Sequence, residues 1–97
     1  MTREEALRVL SDHRDELKRL GVRSLALFGS VARNEAGPTS DVDLLVEFDG
    51  RTMGLFGFLE IKEYLEGILG CPVDLVTRAA VIEELKEDIY GEAVNVL

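Results

Sequence analysis

The sequence predicts an α+β fold in which a small mixed β-sheet is flanked by helices, within a single domain spanning residues 1–97. Three observations lead to this prediction. Segments with helical spacing of apolar residues alternate with short apolar runs typical of strands. Glycine-containing breakers separate these segments. With 97 residues, of which 46% are hydrophobic, the chain can bury one small core and not two.

The first predicted element is a helix over "TREEALRVLSDHRDELKRLG". Thr2 and Glu5 have the spacing of a capping box, which satisfies free N–H groups at a helix start. Gly21 stands where a helix is expected to end. The apolar residues that recur at helical spacing are Ala6, Leu7, Leu10, Leu17 and Leu20.

Two strands and a short helical turn are predicted next. "RSLALFGS" predicts a buried strand over Ser24–Phe28, which Gly29 ends. "VARNEAGPTS" predicts a brief helical turn and then a loop broken at Gly37-Pro38. "DVDLLVEF" predicts a second strand over Asp41–Phe48, followed by a turn at Asp49-Gly50.

The last third of the chain predicts a long helix, a third strand and a final helix. The long helix covers "GLFGFLEIKEYLEGILG" and ends at Gly70; we expect its cluster of Phe56, Phe58 and Leu59 to be core, and any exposed part of that cluster to be a partner interface. "PVDLVT" is the third strand. The final helix, over "AAVIEELKEDIYGEAVNVL", is expected to finish in an extended tail from about Ala93. The apolar residues on or near one face of the long helix are Leu55, Phe58, Leu59, Leu65, Ile68 and Leu69.

Charge and composition narrow the functional classes. The formal net charge of −8 disfavours direct nucleic-acid binding, which depends on Lys and Arg, and suits metal ions or a basic protein partner. A surface that merely aids solubility would carry the same charge. The single cysteine, Cys71, excludes an internal disulfide and a multi-cysteine zinc site. The acidic N-terminus and the shortness of the apolar runs predict a cytoplasmic protein that does not interact with membranes.

Two aspartates separated by one residue suggest a metal site. Side chains alternate along a strand, so Asp41 and Asp43 should point the same way. Like charges this close repel each other unless they are compensated, and Mg²⁺ prefers such oxygen ligands. Asp74, in "PVDLV", would join them if the second and third strands are neighbours. Three carboxylates could then share two cations.

The turn that precedes these acids suggests a phosphate site. Gly29 allows the backbone to approach a ligand closely, and the Ser30 hydroxyl can donate to a phosphate oxygen. Free N–H groups at a helix start favour an anion. Arg33, one turn further on, could add a positive charge over the same group. Phosphate on one side and metal-binding acids on the other indicate a nucleoside triphosphate site.

The stretch "LFGSVARNEAGPTSDVDLLVEF" resembles the nucleotidyltransferase superfamily that shares the DNA polymerase β-like fold. Within that superfamily, the chain resembles the minimal nucleotidyltransferases, the MntA-type antitoxins of HEPN–MNT toxin–antitoxin pairs. The resemblance extends over nearly the whole chain, through "VDLVT" to the ending "LKEDIYGEAV". It implies the polymerase β-like fold, Mg²⁺, ATP as cosubstrate, and transfer of AMP to a tyrosine of a HEPN ribonuclease, which silences that toxin.

The resemblance also implies roles for individual residues. Gly29 and Ser30 match the triphosphate-binding positions, and Asp41 and Asp43 match the metal ligands. Asp74 matches the third acid, which in the family deprotonates the acceptor hydroxyl. The chain departs from many relatives in having Asn34 where they have glycine, in the loop beside the phosphates.

Three functions remain open from the sequence. The first is the protein adenylyltransferase antitoxin that the resemblance implies. The second is an antitoxin of the same fold that blocks its toxin by binding alone; clustered carboxylates argue against it. The third is a nucleotidyltransferase acting on RNA ends or on a small molecule. The acidic balance and the expected absence of an acceptor-binding domain disfavour the third.

Overall fold

The computed structural model describes residues 1–37, 41–49, 54–78, 89 and 91–97. Within these ranges the helices and strands alternate as the sequence predicts. The helices are α1 (Arg3–Asp12), α2 (Arg14–Arg19), α3 (Gly29–Ala32) and α4 (Leu55–Leu69). The strands are β1 (Val22–Phe28), β2 (Val42–Phe48), β3 (Val73–Thr77) and β4 (Val94–Asn95).

The four strands form one mixed sheet in the order β3-β2-β1-β4. β1 pairs antiparallel with both β2 and β4, whereas β2 and β3 run parallel. Parallel neighbours require a crossover connection, and α4 provides it between β2 and β3. The predicted mixed sheet with flanking helices is therefore confirmed, and the second and third strands are neighbours.

One face of the sheet is covered by helices and carries the main core. Alternate residues of β2, such as Val42, Leu44 and Val46, are fully buried on this face. Leu10 of α1, Leu17 of α2 and the α4 residues Ile61 and Leu65 pack in the same cluster. The opposite face has a smaller buried cluster, formed by Ala26 and Leu45 with four half-buried neighbours, namely Phe28, Val76, Ile89 and Ala93.

The prediction of one continuous first helix was wrong, because the helix is interrupted at His13. The His13 backbone leaves helical geometry (φ −107°, ψ 16°) and its N–H donates to Leu10 O. Its ring Nδ1 lies 2.8 Å from Val9 O, where the backbone N–H would bond in a continuous helix. The predicted N-terminal cap is present: the Thr2 hydroxyl accepts from the Glu5 N–H at 3.1 Å.

The other boundaries differ from the predictions by one or two residues. β1 begins two residues earlier than expected, and β2 and β3 each begin one residue later. Left-handed glycines, Gly21 (φ 103°) and Gly70 (φ 71°), stand at the predicted helix ends. The predicted tail after about Ala93 becomes β4. Most of the predicted final helix, together with Pro38 and Gly50 of the predicted breakers, lies outside the described residues.

The expectation that the Phe56, Phe58 and Leu59 cluster is core holds only for Phe58, which packs half-buried against Phe48. Phe56 is 86% exposed and Leu59 is 40% exposed. The reason is helical phase: at 100° per residue, these two positions lie about 140–160° around the helix from buried Ile61. None of the helices described is both long and apolar enough to cross a membrane.

Candidate active site

Strand register brings two of the predicted acids together. Asp43 and Asp74 are paired residues of the parallel strands β2 and β3. Phe28, the last residue of β1, is the partner of Asp43 on its other side. Side chains of directly paired residues share a face. Both aspartates therefore lie on the face opposite the main core, beside the point where the chain enters the Gly29 turn.

Asp41 immediately precedes β2, at the same end of the strands as Asp43 and Asp74. The N–H of the next residue, Val42, donates to Pro72 O at 3.0 Å, which fixes the starts of β2 and β3 side by side. Asp41 and Asp74 are exposed, whereas Asp43 is half-buried. The three acids thus form a rim in which only the central carboxylate is partly removed from water.

The electrostatics of Asp43 identify it as the centre of this acidic rim. Partial burial raises the pKa of the Asp43 carboxyl above its ordinary value, and the negative charges of Asp74 and Asp41 raise it further. Arg33 opposes this shift in the pKa, and Glu92 adds to it. Perturbation by burial together with like charges is typical of functional sites. A bound cation would relieve the repulsion.

The donor chemistry of this rim suits a hard cation such as Mg²⁺, which prefers carboxylate oxygens and keeps several waters. Within the described part of the chain, no three His, Cys, Asp or Glu side chains stand as a ready-made metal-binding group. The acids therefore interact through charge as the structure stands, and side-chain rotations would have to bring their oxygens together on one ion.

Gly29 has a structural requirement that concerns Asp43 directly. Its φ of +75° lies in the left-handed region, which disfavours other residues. A Cβ built on Gly29 would overlap Asp43 Oδ2 and lie 2.9 Å from its carboxyl carbon. The sequence predicted that this glycine admits a ligand. The structure shows that it also makes room for the central carboxylate.

Ser30 and Arg33 lie at opposite ends of α3, with Ser30 half-buried and Arg33 exposed. The Arg33 guanidinium already bonds two carboxylates: Nε donates to Glu35 Oε2 at 3.0 Å and Nη1 donates to Glu92 Oε2 at 2.8 Å. The predicted extra positive charge is therefore present beside the turn, but it is paired with acids of this chain.

Sequence reasoning missed Glu92, which has no recognisable motif around it. Its Oε1 accepts from the Gly29 N–H at 3.0 Å while its Oε2 accepts from Arg33. Gly29 and Glu92 are 63 residues apart in the sequence, so only the fold reveals this contact. The "GEAV" stretch that contains Glu92 was part of the resemblance, but it carried no role.

Asn34 follows the Gly29 turn in a backbone conformation that glycine also adopts readily. Asn34 has φ 59°, and it is the only described residue other than glycine with a positive φ. Asparagine tolerates this left-handed conformation better than most residues do. Its Oδ1 also accepts from the Arg3 N–H at 3.3 Å, which ties the start of α1 to the segment that follows α3.

Comparison with curated proteins finds a full-length relative. The chain is 41% identical over 97 residues to the protein adenylyltransferase MntA of Thermococcus cleftensis, covering 99% of this chain and 97% of the relative. Among solved structures, a proposed minimal nucleotidyltransferase is 38% identical with a TM-score of 0.80, covering 97% of this chain and 95% of that one.

Two toxin–antitoxin complexes share the fold. One, crystallised with AMP-PNP, matches with a TM-score of 0.70 at 20% identity, covering 100% of this chain and 73% of the matched chain. The other is a tri-AMPylated HEPN toxin of Shewanella oneidensis in complex with its MNT antitoxin; it matches with a TM-score of 0.66 at 18% identity, covering 94% of this chain and 71% of the matched chain.

The family model of the nucleotidyltransferase domain matches residues 10–96, a range that includes the Gly29 turn and all three acids. The mixed sheet, the paired aspartates and the full-length relative agree with that match. The chain therefore belongs to the nucleotidyltransferase domain family.

Proposed function

We propose that this chain is an antitoxin that acts as a protein adenylyltransferase, transferring AMP from ATP to a tyrosine of a partner HEPN ribonuclease and so silencing it. The observation that carries the proposal is the placement of Asp43 beside Asp74 in strand register, next to the Gly29-Ser30 turn. The Thermococcus cleftensis relative, similar over almost its whole length, supports the choice of a protein acceptor.

The acidic rim is the proposed metal site. Asp41 and Asp43 would hold Mg²⁺, with Asp74 contributing to a second ion, because carboxylate oxygens are the ligands this cation prefers. Once bound, Mg²⁺ would neutralise negative charge that develops on the phosphates during transfer. Burial raises the pKa of Asp43, and the charges of Asp74 and Asp41 raise it further. The repulsion among the three acids supports this assignment, because a bound cation would relieve it.

The remaining residues have proposed roles in the transfer itself. Ser30 and Arg33 hold the triphosphate through hydroxyl and guanidinium donors at the two ends of α3. Asp74 takes the proton from the hydroxyl of the acceptor tyrosine, and the tyrosine oxygen forms a bond to the α-phosphorus of ATP. The bond from that phosphorus to the pyrophosphate oxygen breaks, pyrophosphate leaves, and the tyrosine carries AMP.

The partner supplies the acceptor surface in this proposal. We treat residues 1–97 as one minimal nucleotidyltransferase domain, and the HEPN toxin as the protein that presents the tyrosine. The two complexes that share the fold pair such a domain with a toxin, which supports this arrangement. The reaction consumes ATP, and we place it in the cytoplasm, without a role for membranes or for direct nucleic-acid binding.

A label-transfer assay tests the proposal. The chain is incubated with Mg²⁺, ATP labelled on the α-phosphate, and the HEPN-family protein encoded nearest to it in the genome. We expect the label to move to a tyrosine of the toxin and the ribonuclease activity to fall. Chelation of Mg²⁺ and the Asp41→Ala, Asp43→Ala double variant should each abolish labelling.

A matched control separates a local effect from loss of any acid. Glu47→Gln removes a carboxylate from the same strand and the same face as Asp43, four residue pairs further along β2 from the site. It should label normally. Retained transfer by the double variant would contradict the mechanism. If the double variant transfers no label but still neutralises the toxin fully, blockade by binding alone is favoured. Turnover with RNA or small-molecule acceptors would overturn the choice of a protein substrate.

A further inference from the structure

Glu92 connects two parts of the phosphate turn that the proposed reaction uses. Its Oε1 accepts from the backbone N–H of Gly29 at 3.0 Å, and its Oε2 accepts from Arg33 Nη1 at 2.8 Å. The Glu92 side chain is 27% exposed. Its bond to Gly29 is partly buried, whereas its bond to Arg33 lies on the exposed side. One carboxylate thus holds the first residue of α3 and the cap residue just beyond its last one.

The backbone that carries Glu92 is itself fixed to the sheet. Two residues after it, Val94 pairs with Leu27 of β1, and the Val96 N–H donates to Leu25 O at 2.8 Å. Ala93 packs against the cluster on this face of the sheet. The carboxylate therefore projects from a segment that is hydrogen-bonded to the sheet and packed against it.

The turn that Glu92 holds also has hydrogen bonds within its own backbone. Gly29 adopts a left-handed φ of +75° directly after β1, and Arg33 bonds back to it through its N–H at 3.1 Å. The other acid that pairs with Arg33, Glu35, is exposed and contacts only the guanidinium Nε. Exposed ion pairs contribute little on their own to fixing a side chain. Glu92 differs from Glu35 because its second oxygen also accepts from the Gly29 backbone, so it connects Arg33 to the turn beside the sheet.

We propose that Glu92 is a positioning residue, which aligns the Gly29-Ser30 turn and the Arg33 guanidinium for the triphosphate. This rests on the proposed function. A carboxylate repels phosphate, so Glu92 acts through the groups it holds and not by touching the nucleotide. The competing interpretation is that Glu92 shields Arg33 as an internal anion. That interpretation predicts the opposite sign, since removing the carboxylate would then tighten nucleotide binding.

The test measures binding of Mg²⁺–ATP by calorimetry and AMP transfer to the toxin in the same variants. In Glu92→Ala we expect about a tenfold rise in both Kd and KM for ATP, the size of a typical coupled contact, with a smaller change in kcat. Glu92→Gln keeps an oxygen for the Gly29 N–H but loses the charge pair, so its Kd should lie between those of wild type and Glu92→Ala. The control Glu35→Gln removes the other partner of Arg33 and should change Kd by less than about twofold.

A double-mutant cycle decides whether Glu92 acts through Arg33. With Arg33→Gln as background, the effect of Glu92→Gln on Kd should fall to less than half. The proposal is overturned if both Glu92 variants bind ATP as tightly as the wild type or more tightly, or if their effects are fully additive with Arg33→Gln. In either case, AMP transfer by the wild type would still support the proposed enzymatic function. A wild-type chain that binds no Mg²⁺–ATP overturns both.

Discussion

The two faces of the sheet are built from alternate residues of the same strands and have opposite properties. On the helix-covered face, β2 contributes Val42, Leu44 and Val46, all fully buried. On the other face the same strand contributes Asp43, Leu45 and Glu47, of which only Leu45 is buried. One face stabilises the fold, and the other collects mutually repelling carboxylates at its edge. Stability and chemistry can therefore be altered separately by substitutions one residue apart.

The largest expected effect is the loss of activity when Asp43, the central residue of the acidic rim, is replaced. We expect Asp43→Ala to lower the rate of AMP transfer by about 10³-fold or more, since a metal ligand supplies several kcal/mol of stabilisation to the transition state. Circular dichroism and thermal unfolding should show an intact fold, because the ionised group that is removed is disfavoured by partial burial and by its acidic neighbours. Loss of folding in this variant would contradict the separation of the two faces.

The neighbouring residue should show the reverse. Leu44→Ala deletes a fully buried side chain from the main core and should lower the free energy of unfolding by about 2–5 kcal/mol. The KM for ATP of the fraction that remains folded should stay near that of the wild type. Leu59→Ala, at a position that is 40% exposed, is the control and should cost less than about 1 kcal/mol. Urea unfolding measures both.

The contrast between the faces also shows how far the sequence predicts this molecule. The alternation of apolar residues predicts the helix-covered face, because burial requires a fixed period along each strand. The sequence predicts that Asp74 lies near Asp43 only if the second and third strands are neighbours, and it does not show which strands pair. The contact of the His13 ring with Val9 O at the helix break, and the contact of Glu92 with Gly29 across 63 residues, have no periodic pattern that the sequence could show.

Gly29 contacts the acidic rim and also adopts a backbone conformation that the fold requires. Its substitution should therefore lower both stability and activity moderately. In Gly29→Ala the methyl group overlaps the Asp43 carboxylate, and φ +75° adds about 1–2 kcal/mol of strain for a residue with a Cβ. We expect that loss of stability together with a fall of at least about tenfold in AMP transfer. The matched control is Gly67→Ala, inside α4 with open space around it, which should stabilise the protein by about 0.5–1 kcal/mol. A Gly29→Ala variant as active as the wild type would mean that the Asp43 carboxylate can move without consequence.

The smallest expected effect concerns stability in the absence of metal. Asp43→Asn removes the proton equilibrium of a carboxyl whose pKa is raised in the folded protein by partial burial and by Asp74 and Asp41. Below the unfolded pKa of about 4, both states of the wild type hold the proton, so this group costs no stability. As pH rises, the unfolded chain releases its proton first, and the folded wild type loses stability until pH passes the raised pKa. We therefore expect the Tm of Asp43→Asn to exceed that of the wild type by a few degrees at pH 7 and by much less near pH 4.

The metal dependence of that difference sharpens the comparison between the faces. Saturating Mg²⁺ binds only the folded protein and should raise the Tm of the wild type, because ligand binding to the native state is stabilising. It should raise the Tm of Asp43→Asn much less. The difference in Tm between the two proteins should therefore become smaller or change sign. Asp49→Asn, which removes an exposed acid beyond the end of β2, should leave the response to Mg²⁺ unchanged. An equal response to Mg²⁺ in wild type and Asp43→Asn would show that the repulsion at Asp43 is not relieved by this cation.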